Sequence, residues 1–167
     1  MFDRFGEFDS AEEINAKAAE LKAAGDREGL VALATENGLD EEDAQDYMDN
    51  VAYELCNEVM AAQGKLAVEC VALKLEREFE MLYEELYMET FKKDVACGVR
   101  KKGKSLAEYL AKVIDKGYEQ AVTPSKEILD KLKAVPKEWR KRMKTGMPNR
   151  ADRKALIQEY YGEKVSE

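Results

Sequence analysis

The sequence contains no histidine in 167 residues. That absence removes the commonest general base, the commonest metal ligand, and every Ser-His or Cys-His nucleophile pair. Its three cysteines, Cys56, Cys70 and Cys97, form no CxxC pair, so the spacing of a structural zinc site is missing and reduced, buried thiols are expected. Three prolines and ten glycines are too few for collagen-like or low-complexity chain. No apolar run approaches the roughly 18 residues of a membrane span. The opening MFDRFGEFDS turns acidic within four residues, unlike a signal-peptide core. The phosphate-loop, dinucleotide and nucleophile-elbow patterns GxxxxGK[ST], GxGxxG and GxSxG are all absent. A soluble, cytoplasmic, non-enzymatic protein with no cofactor and no metal is expected.

Two acidic patterns superficially suggest metal. Glu54 and Glu58 are one helical turn apart, but a di-iron bundle also needs Glu-x-x-His pairs. DEEDAQDYMDN at 40–50 lacks the central glycine and the twelfth-position glutamate of a calcium loop, and its spacing is helical.

What the chain has in abundance is charge, 37% of all residues, and it is unevenly spread. Residues 1–91 hold 7 Lys and Arg against 24 Asp and Glu, a net of −17, while residues 92–167 hold 20 against 11, a net of +9. These sum to the chain's −8. Such asymmetry points to a polyelectrolyte partner, or to halves that neutralise each other on folding.

Apolar spacing is helical throughout and never alternates with period two, so the fold class is all-α: a helical bundle with one long central helix and several short ones. Ser10 and Glu13 form a capping box for a helix bearing Ile14, Ala18 and Leu21 that stops at Gly25. Asp26 caps a second with Leu30, Val31 and Leu33, closed by Asn37-Gly38. Asp40 and Asp43 start a third, whose stripe of Tyr47, Met48, Val51, Ala52 and Leu55 runs towards Gly64 with a break near Asn50. From Lys65 to Cys97 nothing interrupts the chain, and 33 residues at about 1.5 Å each make a rod of about 50 Å. Val68, Ala72, Leu75, Phe79, Leu82 and Leu86 line it with spacings of four and three, as a central helix or a dimer seam would.

GVRKKGKS at 98–105 is expected to be an exposed basic loop, dividing an acidic helical part, 1–97, from a basic one, 98–167, unless the two form one continuous domain. Ser105 and Glu108 make a further capping box, for a helix bearing Leu106, Tyr109, Leu110, Val113 and Ile114. Thr123-Pro124 opens a helix over 124–134, Pro136 a short one, and Asn149 a last one to Tyr161.

Three charged sets are candidate sites. Asp40, Asp43, Asp46 and Asp49, spaced by three on a helix, can imitate a row of phosphates, or simply form a solvated face. Glu76, Glu80 and Glu84 follow at intervals of four and offer a surface for a cationic partner. Lys137, Arg140, Lys141, Arg142, Lys144, Arg150, Arg153 and Lys154 against only Glu138 and Asp152 make the sharpest feature, joined by Arg100, Lys101, Lys102 and Lys104. Such a cluster is the footprint of phosphate binding. Trp139, the single tryptophan, is expected as a core anchor rather than a stacking platform.

The segments MFDRFGEFDSAEEINAKAAELKAAGD, ENGLDEEDAQDYMD and VRKKGKSLAEYLAKV resemble a family of small accessory proteins of conjugative elements and phages of gut Firmicutes. Such cargo includes anti-CRISPR proteins. The resemblance therefore implies an inhibitor of a CRISPR-associated nuclease, with that nuclease or its guide complex as partner. A nucleic-acid-binding accessory factor for element transfer is the alternative, and a dimer through 65–97 a third.

Overall fold

In the computed structural model, residues 2–76 and 79–164 are described, and ten helices are found among them. The first three follow their caps. Helix α1 (Ala11–Ala23) starts where Ser10 Oγ accepts from the Glu13 amide at 3.2 Å, while the Glu13 carboxylate reaches past the cap to the Asp9 amide at 2.8 Å. Gly25, at φ +69°, ends it in the left-handed conformation that costs glycine nothing. Asp26 caps α2 (Arg27–Glu36) through the Gly29 amide. In α3 (Glu41–Met48) the Asp43 carboxylate accepts from the Asp40 amide at 3.1 Å. Ile14, Ala18, Leu30, Leu33, Ala34, Ala44 and Tyr47 from these helices bury together with Leu55, Cys56 and Ala61. Each large side chain so buried contributes about 1.5–3 kcal/mol. The turn after α3 breaks at Asn50, φ 63°, leaving Val51 exposed while Leu55 returns to the core. Asn15 pins that return: its Oδ1 accepts from the Leu55 and Cys56 amides, and its Nδ2 donates to the Cys56 carbonyl.

The long helix expected over 65–97 is three helices. The chain forms α4 (Glu58–Leu73), α5 (Glu80–Glu89) and α6 (Lys93–Arg100). Asn57 caps α4 through the Met60 amide, so the helix begins before Gly64 rather than after it. It ends where Lys74 turns left-handed at φ 51° without a glycine or proline to announce the stop. The expected stripe does not run along one helix: Ala72 is exposed, whereas Leu82 and Leu86 turn back against Ala62 and Leu66. A straight rod would hold those leucines far beyond the reach of α4's inner face, and the burial gained by reversing outweighs the lost helical turns. At the second break the Thr90 hydroxyl donates to the Tyr87 carbonyl at 2.6 Å and accepts from Gln63 Nε2 at 3.2 Å, tying the end of α5 to α4. The central role therefore falls to α4, 16 residues long, which touches both clusters of buried residues.

Nor is 98–105 a loop. Helix α6 continues through Gly98, Val99 and Arg100, all buried; only 101–105 connects. The glycine that reads as a linker is a contact residue. A Cβ on Gly98 would lie 1.5 Å from the Tyr161 carbonyl oxygen. That close approach seats α10 (Arg150–Tyr161), capped by Asn149, against α6 and against α7 (Leu106–Glu119). Ser105 caps α7 through the Glu108 amide at 3.2 Å, but the reciprocal half of the expected box is replaced by Tyr160. Its hydroxyl accepts from the Ser105 amide at 3.0 Å and donates to the Glu108 carboxylate at 2.9 Å.

The 97/98 boundary thus lies inside α6, and one cluster draws Ala62, Leu66, Leu82 and Leu86 from one side of it and Val99, Leu106, Tyr109, Val113, Ile157 and Tyr161 from the other. Between α7 and α10 the chain makes only α8 (Lys126–Lys131) and α9 (Lys137–Arg140), neither with a buried residue. Here α8 is shorter than the expected 124–134 and starts after Ser125, not Thr123. Because the α6–α10 approach leaves no room for a methyl group, G98A should lose about 3 kcal/mol or more of unfolding free energy in urea titration. L86A, a cavity in the same cluster, should lose about 2–5 kcal/mol.

Candidate nucleic-acid interface

The cations of residues 92–167 divide into two groups. One group is occupied by carboxylates, most of them from the acidic half. Lys93 meets Glu58 at 2.8 Å, Lys101 meets Asp9 at 3.0 Å, and Lys102 meets Glu13 at 3.6 Å. Lys104 takes Glu163 at 2.6 Å. On α10, Arg153 Nε reaches Glu85 at 2.6 Å, Arg150 the same carboxylate at 3.4 Å, and Lys154 reaches Glu89 at 2.6 Å. Arg100, expected on an exposed loop, is 1% exposed; its Nη2 donates to the Asn37 side chain and its guanidinium lies 5.5 Å from the Phe2 ring centroid. Helix α6 carries it inward, where α2 offers an amide oxygen. Burial lowers its affinity for the proton. Of the expected basic set, Arg100, Lys101, Lys102, Lys104, Arg150, Arg153 and Lys154 are therefore fully or partly committed within the molecule.

The second group is concentrated in one excursion, residues 123–144. It holds Lys126, Lys131, Lys133, Lys137, Arg140, Lys141, Arg142 and Lys144 against Glu127, Asp130 and Glu138, a net of +5. None of these cations has a carboxylate within ion-pair distance among the described residues. We call this excursion the arm. Its base is closed by two hydrogen bonds of 3.0 Å, Val122 amide to Thr145 carbonyl and Thr145 amide to Val122 carbonyl. Just below, Gly146 lies so close to α7 that a Cβ on it would be 2.3 Å from the Gly117 carbonyl oxygen. The one side chain with a bond inside the arm is Arg140, whose Nε donates to the Val135 carbonyl at 2.8 Å.

Trp139 does not anchor a core. It is 70% exposed on α9, because no second apolar layer lies over that short helix. Ile128 on α8 is exposed, as are Ile114 and Tyr118, one turn apart on α7 and leading to the arm's base. The outward stripe of Ile114 and Tyr118 was not legible as surface, since its spacing is that of a buried face. The sequence reading also passed over Lys126, Lys131 and Lys133, which sit in a segment rich enough in leucine and isoleucine to resemble an ordinary core helix.

The acidic sets are differently placed. Asp40 and Asp49 flank α3 rather than lie on it, and Asp43 is turned to its own cap. Asp49 pairs with Arg27 at 2.6 Å. Asp40, Glu41, Glu42 and Asp46 remain exposed. Glu76, Glu80 and Glu84 do not form one helical row, because Glu76 precedes α5; all three line a cavity of about 390 Å³ with Cys70, Leu75 and Tyr83. No group of three or more Cys, Asp or Glu with metal-holding geometry occurs among the described residues. The three cysteines are free, and burial pushes the Cys56 thiol up to about 12, so it is protonated at neutral pH.

Ion pairing sets the acid sensitivity. Hydrogen bonds from Lys154 and Lys92 hold Glu89 below its ordinary 4.5; Lys93 does the same for Glu58. The Lys102 amide, then Lys101, hold Asp9 below 3.8. A depressed carboxyl lends its stability in full above the ordinary value and loses it as pH falls through the folded-state value. Buried Glu69, which accepts from the Leu106 amide at 2.7 Å, is shifted upward by desolvation and acts in the opposite sense. Thermal midpoints should therefore fall as pH drops below about 4.5, and E89Q should flatten that limb. At pH 7, E85Q strands the nearly buried Arg153 and should lose about 2 kcal/mol, whereas K141A on the arm should change stability by less than about 0.5 kcal/mol; urea titration reads both. The chain matches no protein-family model, no curated protein and no solved structure, so its reading rests on the residues just described.

Proposed function

We propose that the protein is a non-enzymatic binding protein of a mobile genetic element that inhibits a CRISPR-associated nuclease by engaging the nuclease and the nucleic acid it holds. The observation that carries the reading is the partition of cations: those of α6 and α10 are neutralised internally, and those of the arm are not. A net of +5 concentrated on an excursion without buried helical residues is directed at an external polyanion. Guided nucleases hold nucleic acid in positively charged channels. The exposed Asp40, Glu41, Glu42 and Asp46 present carboxylates to the lysines and arginines of such a channel, while the arm meets the phosphates of guide or target. The resemblance to accessory proteins of conjugative elements and phages agrees with this assignment.

The second reading, an accessory factor for element transfer, is favoured by the same unpaired arm, which can act on DNA or RNA with no nuclease present. A cleavage assay separates the two. Added in excess, the protein should protect a target plasmid from a guide-loaded CRISPR nuclease. Replacing Asp40 and Asp46 by Asn and Glu41 and Glu42 by Gln, all four together, should raise the concentration needed for half protection about tenfold, while Asp43 and Asp49 stay in their contacts within the molecule. Unchanged protection by that variant removes the carboxylates from the mechanism; no protection by the natural chain, with salt-dependent binding to nucleic acid, leaves the accessory factor.

A further inference from the structure

Three observations on the arm go beyond its charge. The first is Trp139, 70% exposed in the middle of Lys137, Arg140, Lys141 and Arg142. Leaving an indole in water forfeits the burial that a core site would supply, so the position favours a surface that something planar covers. The second is a cavity of about 610 Å³ between α8 and α9, lined by Lys126, Leu129, Asp130, Lys137, Arg140 and Lys141. That volume falls within the range of about 300–1,000 Å³ that small-ligand sites occupy. Its rim brings four cations and one carboxylate around a leucine floor. The third concerns Arg140. Its Nε is held by the Val135 carbonyl, which fixes the plane of the guanidinium and leaves both Nη groups without a partner among the described residues.

We infer that the arm is a binding site for single-stranded nucleic acid, in which an unstacked base lies on Trp139 while Lys126, Lys137, Arg140 and Lys141 take the adjoining phosphates. The inference rests on the arm's facing a polyanion and adds which polyanion. A duplex offers phosphates on a convex surface and keeps its bases stacked inside, so the indole gains nothing from it. A single strand offers both groups to one face: phosphates to the cationic rim, and a base plane to the ring. Arg140, pre-set by Val135, presents two parallel N–H donors of the kind that match a phosphate. Asp130 opposes a phosphate placed beside it and is suited instead to accept from an N–H on the edge of a base, such as N3–H of thymine. The closed base of the arm, Val122 against Thr145, holds the two short helices together without help from the core. Tyr118, 80% exposed at the approach to that base, offers a second ring to a strand leaving the arm.

The test uses the full chain and two labelled probes, a single-stranded oligo-dT of about 20 nucleotides and a hairpin duplex of equal length. Trp139 is the sole tryptophan, so its emission reports one site. Titration with the single strand should quench that emission, and anisotropy should show tighter binding of the single strand than of the duplex. W139A should weaken single-strand binding about tenfold, and W139F should recover part of that loss. K137A, R140A and K141A should each lower affinity and reduce the salt slope by about 0.7. None of these variants should shift the thermal midpoint, because the side chains are exposed or bonded only within the arm. Equal or tighter binding of the duplex overturns the proposal while leaving the arm a polyanion site. Binding unaffected by W139A, or no oligonucleotide binding at all, also overturns it. A loss of nuclease inhibition with oligo-dT binding intact counts against the proposed function and not against this site.

Discussion

The wall formed by α4 is the constraint from which the rest follows. Its Gly64 is pressed against the turn that ends α2, so that a Cβ there would be 2.2 Å from the Asn37 carbonyl oxygen, and one on Gly38 would be 2.2 Å from the Gly64 carbonyl oxygen. Neighbouring residues on the same helix then face opposite ways: Ala61 completes the N-terminal cluster, while Ala62 and Leu66 open the other. Lys65, between them, is wholly buried and has to be supplied with partners; Glu7 provides a carboxylate at 2.6 Å and Lys101 a carbonyl at 3.0 Å. An unpaired ammonium at that depth would cost several kcal/mol. The N-terminal segment and the end of α6 are thereby drawn to one point. Two apolar clusters meet across a polar seam of Lys65, Arg100 and Asn37, whose hydrogen bonds join the close approach at Gly64 in setting registry between them.

Once that seam and the Gly98–Tyr161 contact are in place, the electrostatics are decided. From the first turns of α10, Arg150, Arg153 and Lys154 reach Glu85 and Glu89 of α5, which satisfy all three. The connection Lys101–Ser105 lies along α1 and its N-terminal approach, where Asp9 and Glu13 satisfy two more. Seven of the twenty cations of 92–167 are thus spent on joining the two halves, and the eight of the arm are ones the core never reaches. Charge asymmetry between halves was a real signal, and one part of it is architectural.

The fold was legible wherever a local rule governed it. Ser10, Asp26, Asp40 and Asn149 each announce a helix start that the structure keeps, and Gly25 and the Asn37-Gly38 pair each announce a stop. These features act within one turn of chain, so adjacent residues suffice to read them. What was illegible is governed by partners distant in sequence. Lys74 ends a helix because α5 must fold back, and no residue beside it says so. Gly98 looks like a linker until Tyr161, more than sixty residues on, is laid across it. Arg100 counts as surface charge until Asn37 is found beneath it. The basic cluster at 137–154 reads as one run, yet α10's share is structural and α9's is exposed, because the helix between Asn149 and Tyr161 has an apolar face to bury and the segment before it has almost none. Trp139 inverted expectation for the same reason: its hydrophobicity was visible, the lack of anything to pack on was not.

The closure at Val122 and Thr145 has an architectural consequence. Since the chain leaves and re-enters the body at two paired residues, the 22 positions between them form a cassette whose length and composition are decoupled from everything beneath. A two-residue hairpin turn spliced in their place joins the same two points. Recognition and scaffold can then diversify at different rates in the same gene, one under the demand of whatever it touches, the other under the demand of staying folded.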